Sequence, residues 1–243
     1  KGIQGAFFPP AKAILENRVL DVNKIQFILA QNITTRDLLN YVLKCLDKHR
    51  NKYSLRSNDY YFSKFAKANQ WDSKEIVFIK CLLQVGLEEK LRNLIIDELF
   101  QKHVSDDEEV FSKELYMNID QMRCMVRSGM YIGSHGYSHY WMNKIPPSVQ
   151  EQEISFSLNL LEEIGSPTNN WVMCYPYGAY DSSLIEILKE KNCKLALTDI
   201  SVNQGIAVLD QDNAFSLGRL DTNDLPKAAN AEISDWTRRI VPD

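Results

Sequence analysis

The spacing of apolar and polar residues divides the chain into two regimes. Gly5-Ala6-Phe7-Phe8 is a short apolar run closed by Pro9-Pro10. Proline cannot continue a strand ladder, so the run predicts a short buried strand. Ala11 to Asn17 follows as one or two helical turns. From about Asp21 to Ser128 the apolar period is helical. Ile25, Ile28 and Leu29 recur at three- and four-residue spacing, then Leu38, Leu39, Val42, Leu43 and Leu46, with Thr34 or Thr35 placed to cap. Ile76, Ile79, Leu82 and Leu83 keep the period, as do Leu91, Leu94, Ile95 and Leu99. Roughly a hundred residues of helix without a strand is foreign to an alternating α/β fold. The block predicts a helical subdomain inserted between two core strands.

After Gly129 the period alternates. Met130 to Ser134 predicts a strand, and Ser148 to Ile164 an amphipathic helix closed by Gly165. Trp171 to Tyr175 predicts a strand stopped by Pro176. Asp181 caps a helix running to Lys191, and Leu195 to Thr198 predicts a further strand. Strand, helix, strand, helix, strand is the order of parallel βα units. The expected division is an α/β core over 1–20 and 129–243, with a helical insertion over 21–128.

Composition narrows the function classes. Over 243 residues, 28 Lys and Arg stand against 32 Asp and Glu, a net charge of −4. With no basic stripe, nucleic acid is not an expected partner, because phosphate neutralisation supplies most of that affinity. The longest apolar stretch, Ile76 to Leu87, is broken by Lys80 and Gln84, so no membrane span is expected. Five cysteines without a close pair predict reduced core thiols and a cytoplasmic setting. The chain opens at Lys1 without Met and without an apolar leader, which suggests that it begins inside a domain.

Three segments could carry chemistry. In Gly133-Ser134-His135-Gly136-Tyr137-Ser138-His139, two of four histidines stand four apart after a strand. Imidazoles at i and i+4 on one turn can share a divalent ion, and the C-terminal end of a strand is where α/β barrels place active sites. Two packing histidines beside Tyr140 and Trp141 would look the same. Tyr175-Pro176-Tyr177-Gly178 ends another strand, and a main-chain N–H at such a turn can hold an oxyanion, although the turn equally serves to close the strand. In Leu217 to Asp224, Arg219 could orient a carboxylate, or the segment could be a capped surface turn. The acidic run Ser105 to Glu109 reads as a solvated helix start, and His49 and His103 as exposed.

Taken in order, these segments resemble the polysaccharide deacetylases of the fourth carbohydrate esterase family. The resemblance covers residues 1–17 and about 117–226. It implies a distorted (β/α) barrel, incomplete at the N-terminus, with the helical block as a subgroup insertion. It also implies that His135 and His139 ligate a divalent metal, with Zn²⁺ the expected ion, and that the backbone N–H of Tyr177 joins the metal in holding the oxyanion. The third metal ligand and general base, an Asp pair at the end of the first strand, would lie upstream of Lys1. Cys174 stands where many members carry an Arg before the Pro-Tyr turn, and Arg219 is the candidate to replace it. No histidine follows His139, so the general acid has no counterpart.

The implied activity is hydrolysis of N-acetyl or O-acetyl groups on a sugar or polysaccharide precursor, in the style of surface-polysaccharide or O-antigen gene sets. An oligomer built through the helical insertion is compatible with this. The alternatives are an inactive deacetylase-like domain that binds glycan or a partner protein, and a metal hydrolase with another substrate.

Overall fold

The computed structural model describes residues 2–69, 71–199, 207, 213–220, 228, 230–232 and 238. The chain divides into two compact units, 1–16 with 117–243, and 17–116. The first contains every strand among the described residues. β1 (Ala6–Phe7) pairs in parallel with β2 (Tyr131–Ile132). β3 (Trp171–Cys174) pairs in parallel with β4 (Cys193–Asp199), and β4 with β5 (Leu217–Arg219). One parallel bridge, Ser134 to Met173, joins the two sheets. Spatial order thus follows chain order, and every carboxyl end lies on the same side of the array.

The parallel α/β arrangement is as expected, but it is open. Among the described residues the strands form two short open sheets and do not close. β1 is correspondingly not the buried strand that its apolar run predicts, since Phe7 is 40% exposed. With β2 as its only strand partner among the described residues, β1 is an edge, and an edge has one uncovered side.

Helices cover the rest of the array. α1 (Ala11–Leu15) follows β1, and α8 (Ile119–Arg127) precedes β2. α8 starts in a capping box, in which Asn118 and Gln121 each accept from the other's backbone N–H. α9 (Pro147–Glu163) has proline at its first turn, where the missing N–H costs nothing. It ends before Gly165, whose φ of +75° and N–H to the Glu162 carbonyl make the expected stop. α10 (Ser182–Glu190) is capped as expected by Asp181, which accepts from Leu184 N at 3.0 Å. The core places Trp171, Met173 and Tyr175 in one cluster with Ile154, Leu160, Leu161, Leu184 and Leu188. Each such side chain contributes about 1.5–3 kcal/mol by burial. β3 shifts register between Trp171 and Val172, and the Val172 N–H donates to the Tyr131 hydroxyl at 2.7 Å.

The second unit is helical: α2 (Asp21–Leu29), α3 (Thr35–His49), α4 (Asn58–Phe65), α5 (Lys74–Cys81), α6 (Glu89–His103) and α7 (Glu108–Leu115). Thr34 caps α3 by accepting from Asp37 N, and α5 runs on into a π turn over Leu82–Gly86. The unit boundaries differ from those expected at 20/21 and 128/129. Val19 N donates to the Glu108 carboxylate and Leu20 N to the Tyr116 hydroxyl, which ties 17–20 to the helices. Met122 is buried with Ile132, which ties α8 to the strands.

The acidic run is only partly solvated. Asp107 caps α7, but Glu108 turns inward to Lys24 at 2.8 Å and Arg18 at 3.0 Å. His49 and His103 are half-buried rather than exposed. All five cysteines are free; Cys45, Cys174 and Cys193 are buried, Cys81 half-buried and Cys124 exposed. Among the described residues no helix is long and apolar enough to cross a membrane.

Candidate active site

The carboxyl ends of β2 and β3 bring two of the expected segments together. The bridge from Ser134 to Met173 sets them side by side, with Ser134 N donating to the Val172 carbonyl at 3.0 Å and Cys174 N to the Ser134 carbonyl at 2.9 Å. Gly133 permits this approach. A Cβ there would lie 2.6 Å from the Val172 carbonyl oxygen and 2.6 Å from the Phe8 ring.

The histidine pair sits in irregular loop, not on the helical turn that its spacing suggests. Gly136 has φ +73° and His139 φ +61°, so the helical path is broken at two of five positions. The rings still meet, with centroids 4.9 Å apart and planes at 66°. His135 Nδ1 lies 2.6 Å from the Cys174 carbonyl oxygen. A carbonyl only accepts, so Nδ1 carries the proton and the Nε2 lone pair is left for another partner. His139 Nδ1 is buried without a hydrogen-bond partner.

Burial also sets the charge state. It lowers the His135 pKa to about 4, against the opposing bond to the Cys174 carbonyl and with help from the positive field of Arg219. It lowers that of His139 to about 3, with His135 adding to the shift. Both rings are neutral at pH 7, which is the form that ligates a metal. The donor set therefore fits two coordination positions of an N-preferring divalent ion. Among the described residues no group of three or more His, Cys, Asp or Glu that could hold a metal ion stands together.

Tyr177 belongs to the same cluster. Its φ of +56° and ψ of 17° put it in the left-handed region, where a non-glycine residue costs about 1–2 kcal/mol. The turn is closed by Gly178 N donating to the Tyr175 carbonyl at 3.0 Å and Ala179 N to the Pro176 carbonyl at 3.0 Å. The Tyr177 ring meets His139 edge-on at 4.7 Å and stacks on Trp141 at 4.4 Å and 7°. Strain at His139 and Tyr177, whose rings touch, is concentrated at one spot of the surface.

Arg219 ends β5, opposite Asp199 across the β4–β5 ladder, and is exposed. It stands close enough for its charge to act on His135 and on Cys174. The segment Asp221 to Asp224, which the sequence joined to Arg219, lies outside the described residues.

Two participants were missed from sequence. Trp141 was seen only as a neighbour of packing histidines, yet it is stacked on Tyr177 and its buried indole N–H has no partner. Glu153 on α9 is 5% exposed, and its Oε2 accepts from Tyr137 N at 3.0 Å and Ser138 N at 2.7 Å. Its signal was present in the sequence. Gln150, Glu153 and Ser157 repeat at helical spacing on the face of α9 that also buries Ile154 and Leu161. A polar stripe in phase with the apolar one predicts buried hydrogen bonds.

Residues 99–196 match the family model described as polysaccharide deacetylase. Solved structures similar to parts of the chain include a Streptococcus pyogenes deacetylase, PplD, in complex with acetate. It is 24% identical, with 43% of this chain and 44% of that one covered and a TM-score of 0.38. IcaB from Ammonifex degensii is 24% identical over 44% of this chain and 49% of that one, TM-score 0.35. A family 4 carbohydrate esterase from Streptomyces lividans, in complex with acetate, is 19% identical over 36% and 47%, TM-score 0.30. The chain spans about half the length of these structures. Among curated proteins none matches it.

Proposed function

We propose that this chain, which carries a polysaccharide deacetylase segment over residues 99–196, serves a metal-dependent hydrolase that removes acetyl groups from a sugar or polysaccharide precursor. The observation that carries this is the neutral histidine pair inside that segment, with the His135 ring oriented by the Cys174 carbonyl. In this reading His135 uses Nε2 and His139 its ring nitrogen to hold a divalent ion, with Zn²⁺ the expected one. When bound, such an ion supplies Lewis-acid polarisation of the acyl carbonyl and acidifies a water.

The chain's own groups would orient the two rings and stabilise the oxyanion. Cys174 O keeps the proton on His135 Nδ1, and burial keeps both rings from taking a second one. The Tyr177 backbone N–H donates to the carbonyl oxygen as it gains negative charge during attack. A single donor of that kind is worth about 3–4 kcal/mol of barrier. Arg219 adds positive field on the same side. Water oxygen bonds to the acyl carbon, the amide C–N bond breaks with one of the water's protons passing to the leaving nitrogen, acetate departs and the sugar keeps a free amine; an O-acetyl ester would lose acetate from oxygen in the same way. The parallel strand array is read as part of a distorted (β/α) barrel. The free cysteines fit a reducing, cytoplasmic setting, and the substrate class fits surface-polysaccharide synthesis.

Acetate release from N-acetylglucosamine oligomers tests the proposal, with chelator-treated and Zn²⁺-restored protein compared and His135→Ala as control. Metal-restored activity that His135→Ala abolishes is the expected result. Equal acetate release by wild type and His135→Ala would overturn it. Glycan binding without any acetate release would favour an inactive, glycan-binding domain instead.

A further inference from the structure

We infer that Glu153 is a positioning residue for the histidine pair, its buried carboxylate fixing the backbone that spaces the two rings. The inference rests on the proposed role of His135 and His139, and it concerns a residue on a different element. Only three residues, Gly136, Tyr137 and Ser138, separate the rings. Helical hydrogen bonding does not hold them, because Gly136 and His139 both have positive φ. Something else must satisfy this backbone, since buried N–H and C=O groups are almost always paired.

The partners come from two sides. On one side, Ala11 N donates to the Gly136 carbonyl at 3.2 Å and Lys12 N to the Tyr137 carbonyl at 3.0 Å. On the other, Glu153 Oε2 accepts from Tyr137 N and Ser138 N. Gly136 N is taken by the Ser134 hydroxyl at 3.2 Å, which is itself 2.7 Å from the Ser157 hydroxyl on α9. A Cβ at Gly136 would make only an ordinary contact with Oε2, at 3.5 Å, so it is the positive φ there, and not crowding, that favours glycine.

A carboxylate is an expensive choice for a site 5% exposed, since burial disfavours its charge. An amide or hydroxyl could cap a loop at lower cost. What the carboxylate adds is a pair of short, charge-assisted bonds to consecutive N–H groups, roughly twice as strong as neutral ones. One oxygen serving both N–H groups fixes the rotation of the peptide between them. His139 follows directly, so that rotation sets where its ring points. His135 is anchored separately by the Cys174 carbonyl. Glu153, with the Lys12 N–H bound to the carbonyl of the same peptide, therefore sets the second ring relative to the first.

The test uses the full chain with Glu153→Ala, Glu153→Gln and Leu188→Ala, the last a core change away from the loop. Imidazole ¹⁵N spectra of the metal-free protein read ring environment without reference to activity. Glu153→Ala should shift or broaden the His139 signals while Leu188→Ala leaves them in place. Zn²⁺ affinity, read by calorimetry, should fall by about 10–100-fold in Glu153→Ala, the range for groups that orient metal ligands. Glu153→Gln, which keeps one acceptor oxygen, should recover part of both signals. Unchanged His139 signals in a folded Glu153→Ala protein would overturn the inference, as would a loss of melting temperature equal to that of Leu188→Ala with both readouts unmoved. If wild type releases no acetate, the proposed function fails, but the ring spectra still decide the role of Glu153.

Discussion

Gly133→Ala adds one methyl group at the point where β2 meets β3, and its effect can be worked out from distances. The new Cβ would lie 2.6 Å from the Val172 carbonyl oxygen, whereas ordinary contact begins at 3.4 Å. Relief requires a separation of about 0.8 Å, the difference of those two values. Val172 cannot retreat freely, because its carbonyl accepts from Ser134 N at 3.0 Å and its N–H is bound to the Tyr131 hydroxyl. Moving the strands apart by that amount takes the Ser134 bond beyond hydrogen-bonding range. An unmade buried backbone bond costs about 1–3 kcal/mol, and overpacking adds about 1–3 kcal/mol. The expected loss is therefore about 2–6 kcal/mol, or roughly 4–24 °C in melting temperature at about 2–4 °C per kcal/mol. Gly129→Ala is the matched control. It has φ +80° but open space around its Cβ, so it should cost only the left-handed penalty of about 1–2 kcal/mol. Thermal unfolding followed by circular dichroism measures both. Equal melting temperatures for Gly133→Ala and Gly129→Ala would refute the claim that close strand approach, rather than backbone freedom, requires glycine at 133.

Three further outcomes are expected. Tyr131→Phe removes the acceptor for the Val172 N–H at the register shift of β3, and urea titration should show a loss of about 1–3 kcal/mol. Lys24→Met strips the partner from Asp97 and Glu108. Removing one member of a buried ion pair costs about 3–5 kcal/mol, but Asp97 is half-exposed and Arg18 remains beside both, so about 1–3 kcal/mol is expected, with no loss at all refuting a stabilising role. Burial pushes the Cys193 thiol up to about 12, so at pH 8 almost none is thiolate. Ellman's reagent should label exposed Cys124 in the native protein and reach Cys45, Cys174 and Cys193 only on unfolding; fast labelling of three or more thiols would contradict the burial.

The strand and helix order was legible because each βα element in 129–199 carries its own period and its own stop signal. Pro176 ends β3, Gly165 ends α9 and Asp181 starts α10, all local effects of backbone chemistry. What local signals lack is position in space. Phe7 reads as core from its neighbours in sequence, and only the pairing of β1 shows it at an edge. Likewise the spacing of His135 and His139 is compatible with a helical turn, and only the φ values at Gly136 and His139 reveal a loop. The unit boundary was misplaced for a related reason, since α8 has the same period as the helices before it but buries Met122 against strand residues. His135 and His139 were readable as a pair because they are close in sequence. Trp141 and Glu153 act through contacts with Tyr177 and with a loop 15 and 16 residues away, which no short motif contains.

The pairing of β1 with β2 carries a consequence for how the protein is made. Gly5 meets Met130 across 125 residues of sequence, whereas the helices of 17–116 find their partners within one continuous stretch. On a ribosome adding about 5–20 residues per second, β1 emerges many seconds before the strand it needs. During that interval the helical unit has everything required to collapse, and the first strand does not. An exposed, unpaired edge bearing Phe7 and Phe8 is a point of attachment for chaperones or for other nascent chains. The β1–β2 pairing is a non-local contact of the kind whose loop-closure entropy must be met before it can form. Yield in recombinant expression should therefore respond more to slower translation and lower temperature than to changes within the helical unit.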